Sequence, residues 1–154
     1  MGLDMYLTGK RYMSKYFDKE DTARIEKVNE VFGFQGEEDA DYNAVEVSFR
    51  IGYWRKANQI HQWFVDNVQD GVDECQEAYV SREQLQALVD VCKTVLADMS
   101  KAEELLPTQS GFFFGGTDYD DWYKGDLEYT VERIEKILKD PALEKASFYY
   151  QSSW

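Results

Sequence analysis

The hydrophobic period of the chain changes from two to about 3.6 near residue 52. Val45, Val47, Phe49 and Ile51 alternate with Glu46, Ser48 and Arg50, which predicts a strand over Val45–Ile51 with one buried face. Gly52 is expected to break it. From Lys56 to Val68 the apolar positions Ala57, Ile60, Phe64 and Val68 recur at helical spacing and predict an amphipathic helix. His61 falls inside that stripe and Trp63 at its margin, while Arg55 and Asn58 lie away from it.

The remaining segments read in the same way. Leu3, Met5 and Leu7 alternate with Asp4 and Tyr6, predicting a strand over Gly2–Leu7; Lys10–Lys19 reads as a loop or an extension of that strand. Asp21–Phe32 is helical in pattern, with Asp18 or Asp21 as cap and Gly33 as terminator, and 33–43 reads as a mobile loop. A short strand is expected within Glu77–Val80. Ser81 and Gln84 form a capping box ahead of the stripe Leu85, Leu88, Val89, Cys92, Val95, Leu96 and Met99. Residues 101–117 form a loop in which Phe112-Phe113-Phe114 is a candidate short strand. Thr117 or Asp118 is expected to cap a helix using Tyr119, Tyr123, Leu127, Thr130, Ile134 and Ile137, which stops before Pro141. Ala146–Gln151 reads as a closing strand. The order predicts an α+β fold, one domain over residues 1–154. A mixed sheet of four to five strands would carry about four helices on one face.

Composition narrows function. The chain has 154 residues, 30 acids against 17 Lys and Arg, and a net charge of −13. Such a balance argues against direct nucleic-acid binding, which needs cations to replace phosphate counterions. It fits either plain solubility or an acidic face that docks a basic partner. No apolar run approaches the roughly 20 residues of a membrane-spanning helix, and no basic segment with an apolar run marks an N-terminal signal, so a cytoplasmic protein with no membrane association is expected. Cys75 and Cys92 fit no metal spacing and are expected to be reduced thiols, Cys92 on the buried stripe.

Candidate chemistry concentrates where the period changes. Tyr53 and Trp54 offer flat faces for stacking, Arg55 and Lys56 offer cations, and Asn58 lies beside them at a helix start, where unpaired N–H groups favour anions. The same residues also suit an ordinary strand-to-helix turn. His61, the sole histidine, reads either as a satisfied core residue or as a cleft-facing donor. A second group is Gly115-Gly116-Thr117 in the Gly-rich loop, where glycine permits close approach to a ligand. It lacks the Gly-Lys-Ser/Thr ending of a phosphate-binding P-loop. Asp118, Asp120 and Asp121 suit a helix start as well as a cation. Neither a catalytic nucleophile, a metal-ligand set nor a cofactor motif stands out.

The blocks Met1-Gly2-Leu3-Asp4-Met5-Tyr6-Leu7, Gly52 to Phe64, Leu106 to Tyr119 and Tyr150 to Trp154 resemble a small family of bacteriophage and prophage proteins. Some members carry a phosphoglycerate kinase label. The length of this chain and its lack of a nucleotide-kinase motif exclude that label here. The resemblance implies a phage origin, action in the host cytoplasm, and a role against host defence or metabolism; it brings no site residues with it. The leading expectation is a non-enzymatic protein that binds, and sequesters, a nucleotide or related phosphorylated small molecule through Tyr53, Trp54, Arg55, Lys56, Asn58, His61, Gly115, Gly116 and Thr117. Two alternatives stand beside it: an acidic protein that inhibits a basic host nucleic-acid-binding protein, and a nucleotide hydrolase or transferase. An oligomer is compatible with all three.

Overall fold

In a computed structural model, which describes residues 2–34 and 43–154, the alternating stretches become four strands: β1 (Asp4–Ser14), β2 (Ala44–Arg55), β3 (Ala78–Val80) and β4 (Ser147–Ser153). They form one sheet in the order β2-β1-β4-β3, and every pairing is antiparallel. The sheet is therefore not mixed. Helices α1 (Lys19–Phe32), α2 (Asn58–Val68), α3 (Arg82–Ala97), the single turn α4 (Ala102–Leu105) and α5 (Asp121–Lys139) complete an α+β fold. No helix among the described residues is long and apolar enough to cross a membrane.

Register explains which face is buried. Directly paired residues share a face, and β1 sets Met5 against Trp54 and Ser152, and Leu7 against Gly52 and Tyr150. These positions look onto one hydrophobic core. Leu3, Met5, Leu7, Trp54, Phe148 and Tyr150 meet Ile60 and Phe64 of α2, Leu88 and Cys92 of α3, and Leu127 and Ile134 of α5 there. The opposite face carries Asp4, Tyr6, Tyr53, Tyr79 and Tyr149, all partly or largely exposed.

Several local devices follow the pattern closely. Asp18 caps α1 through Glu20 N, and Gly33 ends it in the left-handed region at φ 72°. Ser81 and Gln84 close both bonds of the capping box on α3. Burial lifts the Cys92 thiol to about 12, keeping it protonated.

Other features differ. Gly52 does not break β2. The strand runs on to Arg55, with a bulge at Ile51 opposite the Leu7–Thr8 step. Gly52 is needed because the Trp54 ring folds back over it: a Cβ there would lie 3.0 Å from that ring and 3.2 Å from Leu7 Cβ. The turn falls instead at Lys56, a non-glycine residue at φ 60°. Phe112–Phe114 forms a turn and not a strand, and α5 starts later than expected, capped by Asp120. The loop expected over 33–43 lies mostly outside the described residues.

Candidate functional site

The two motifs read from the sequence meet. Gly115, at φ 91°, packs so closely on the β2–α2 turn that a Cβ would lie 3.0 Å from Lys56 Cβ and 3.3 Å from the Lys56 carbonyl oxygen. Asn58 fastens the contact. Buried at the first turn of α2, it donates from Nδ2 to the carbonyls of Phe114 (3.0 Å) and Gly116 (2.9 Å) and accepts from Gln109 N (2.8 Å). Backbone bonds from Leu3 N to Phe113 O (3.0 Å) and from Lys56 N to Leu3 O (2.8 Å) tie the start of the chain to both.

This junction forms one wall of a cleft of about 290 Å³. Arg55, Lys56 and Gln59 line it from the turn and α2. Thr108, Gly115, Gly116 and Asp118 line it from the loop, and Asp120, Trp122, Tyr123 and Asp126 from the start of α5. Arg55 and Lys56 are exposed, and among the described residues neither has a carboxylate within ion-pair distance. On the facing lip Trp122 is 86% exposed. Tyr123 is buried beneath it and donates to Leu106 O at 2.8 Å. Burial raises its phenol well above the usual range.

The acids of the cleft differ from one another. Asp120 spends its carboxylate on the helix, accepting from Trp122 N (3.0 Å) and Tyr123 N (3.1 Å). Asp126, one turn deeper, accepts from Gln59 Nε2 at 3.1 Å. Partial burial pushes its carboxyl up to about 6; the Gln59 bond opposes that shift and the nearby Asp120 charge adds to it. Among the described residues no three His, Cys, Asp or Glu side chains converge as metal ligands.

The sequence-derived site residues divide accordingly. Arg55, Lys56, Gly115 and Gly116 line the cleft. Asn58 does not face it, because both its side-chain polar atoms hold the loop. Trp54 is in the core, 3% exposed, with Nε1 donating to Thr130 Oγ1 at 2.8 Å, so its ring is closed to a ligand. Tyr53 points to the other face of the sheet, where its hydroxyl donates to Asp4. His61 is fully buried, with Nδ1 against the Tyr150 hydroxyl (2.7 Å) and Nε2 against Asp73 Oδ2 (2.9 Å), which satisfies both ring nitrogens and removes it from the cleft. Thr117 contributes its carbonyl, accepting from Thr108 Oγ1 at 2.9 Å. Gln59, Trp122 and Asp126 were not among the expected residues. An aromatic one position off the Tyr123–Leu127–Thr130 stripe was the available signal for Trp122.

The fold and cleft define an α+β protein with a small surface site carrying two cations that have no ion-pair partner among the described residues, and an exposed indole. Comparison with known protein families, characterised proteins and solved structures finds no match.

Proposed function

We propose that this protein binds a nucleotide or related phosphorylated small molecule in the cleft and holds it without turning it over. The observation that carries the reading is the state of Arg55 and Lys56. In a chain with 30 acids and 17 Lys and Arg, two adjacent cations stand at the mouth of a cleft with no carboxylate partner among the described residues. Such cations favour an anionic ligand, and Arg matches a phosphate bidentately. The stacking platform is Trp122, which replaces Trp54 in that role; its exposed face suits a planar base. Gly115 and Gly116 bring backbone close to the bound group. Given the resemblance to phage proteins, sequestration of a nucleotide used in host defence is the role this binding would serve.

Calorimetric titration with mono-, di-, tri- and cyclic nucleotides tests the reading. At least one should bind, and Arg55→Ala and Trp122→Ala should each weaken it by about tenfold or more, the scale of a lost charge-assisted hydrogen bond or base stack. Recovery of the ligand unchanged after incubation separates holding from hydrolysis or transfer. Binding by no nucleotide, or unchanged affinity in both variants, would overturn the proposal.

A further inference from the structure

We infer that the cleft selects guanine nucleotides and that Asp126 reads the base, an inference that rests on the nucleotide reading above. The argument begins with α5. Trp122 and Asp126 are four residues apart and therefore lie one above the other on one face of the helix. Both line the cleft, with Trp122 on the exposed lip and Asp126 deeper. A base lying on the indole presents an edge to the next turn of the helix, where the carboxylate stands. Asp126 Oδ2 already accepts from Gln59, and no donor among the described residues reaches Oδ1, so acceptor capacity is left on both oxygens.

An ionised carboxylate offers acceptors only. Guanine alone among the common bases has two adjacent donors on its pairing edge, N1–H and the C2 amino group. A carboxylate takes both at once. Adenine and cytosine place a ring-nitrogen acceptor beside their amino donor, which a carboxylate repels. Uracil flanks its one donor with carbonyls. The groups around Asp126 are consistent with this division of labour. Arg55 and Lys56 approach from the β2–α2 turn as the phosphate end, Asp118 approaches from the loop as a further acceptor, Asp120 is held by its cap bonds to α5, and neutral Gln59 and Tyr123 close the floor.

The carboxyl's raised titration near 6 adds a pH signature. At pH 7.5 it is ionised and suits guanine. At pH 5 it is protonated, becomes a donor, and the preference should shrink.

The test uses four monophosphates that differ only in the base: GMP, IMP, XMP and AMP, titrated into the whole protein and its Asp126→Asn variant at pH 7.5. GMP should bind at least about tenfold more tightly than IMP, which lacks the amino group, and than AMP. Asp126→Asn should remove that preference and strengthen XMP, whose C2 carbonyl accepts from the introduced amide; a gain of binding cannot arise from misfolding. Equal affinities in the unsubstituted protein, or a GMP preference that survives Asp126→Asn, would overturn the inference while leaving nucleotide binding standing. Binding by none of the four, with no other nucleotide bound, would overturn both.

Discussion

Asp126 illustrates how one residue's surroundings set its contribution. In the unfolded chain its carboxyl titrates near 3.8, and in the folded chain near 6. Between those values the native state keeps a proton that the unfolded state has lost, so stability falls as pH rises through that window. Above it, the fold carries a partly desolvated charge that, among the described residues, Gln59 alone supports by a hydrogen bond. Asp126→Asn keeps the shape and the Gln59 bond without that charge. The variant should therefore melt at a higher temperature than the parent at pH 7.5 and gain little at about pH 3, where both states of the parent are largely protonated. Calorimetry at the two pH values checks this; an equal gain at both, or a loss at pH 7.5, would contradict the assigned cause. Neither the depth of Asp126 nor its Gln59 partner was visible in the sequence, because both depend on how α5 packs against α2. The burial of Trp54 is hidden in the sequence for a related reason. Its type is conspicuous, but its direction follows from the Ile51 bulge, which makes Gly52 and Trp54 follow Ile51 on the core side.

At the scale of elements, structure is legible in the sequence where hydrophobic period and local capping decide it. The α3 stripe with its Ser81–Gln84 box, the β1 alternation and the Phe148–Tyr150 face all rest on such local signals. Structure is not legible there where long-range contact decides it. Glycine at 52 suggests a turn in sequence, whereas here it gives room to an indole, and the left-handed turn residue is Lys56. Asn58 is the clearest case: its position at the start of α2 was legible, but its partners lie more than 50 residues away. Replacing it with Ala would leave two carbonyls and one N–H at a partly buried site without their partner. We predict a destabilisation of about 2–3 kcal/mol, read by chemical denaturation. Hydrogen exchange over 109–116 should accelerate by more than this global loss explains. Slow exchange retained in that loop would show that Gly115 packing alone holds it.

The whole molecule adds a property that no single residue or element has. The α+β class was legible because the order of strand and helix periods survives errors at individual boundaries. The shape of the cleft was not, since it arises where the β2–α2 turn, the loop and α5 meet. Net charge was legible throughout, and at −13 it sets a field opposed to the local attraction of Arg55 and Lys56. The two act over different distances. At about 10 mM salt the screening length is about 30 Å, so an approaching nucleotide meets the repulsion of the entire molecule; at about 150 mM it is about 8 Å, and the nucleotide meets little beyond the cleft. Added salt should therefore speed association over that range, opposite to the usual behaviour of an anion site on a basic protein. Dissociation should quicken further up the salt series as the contact pairs themselves are screened. Stopped-flow tryptophan fluorescence, with Trp122 as the reporter stacked by the base, measures both rates. Arg55→Ala should lower affinity yet keep the rise in association rate with salt, because the remaining acids still set the long-range field. An association rate that falls steadily from about 10 to 150 mM salt would mean that the acids lie away from the approach path and that the local cations steer the ligand.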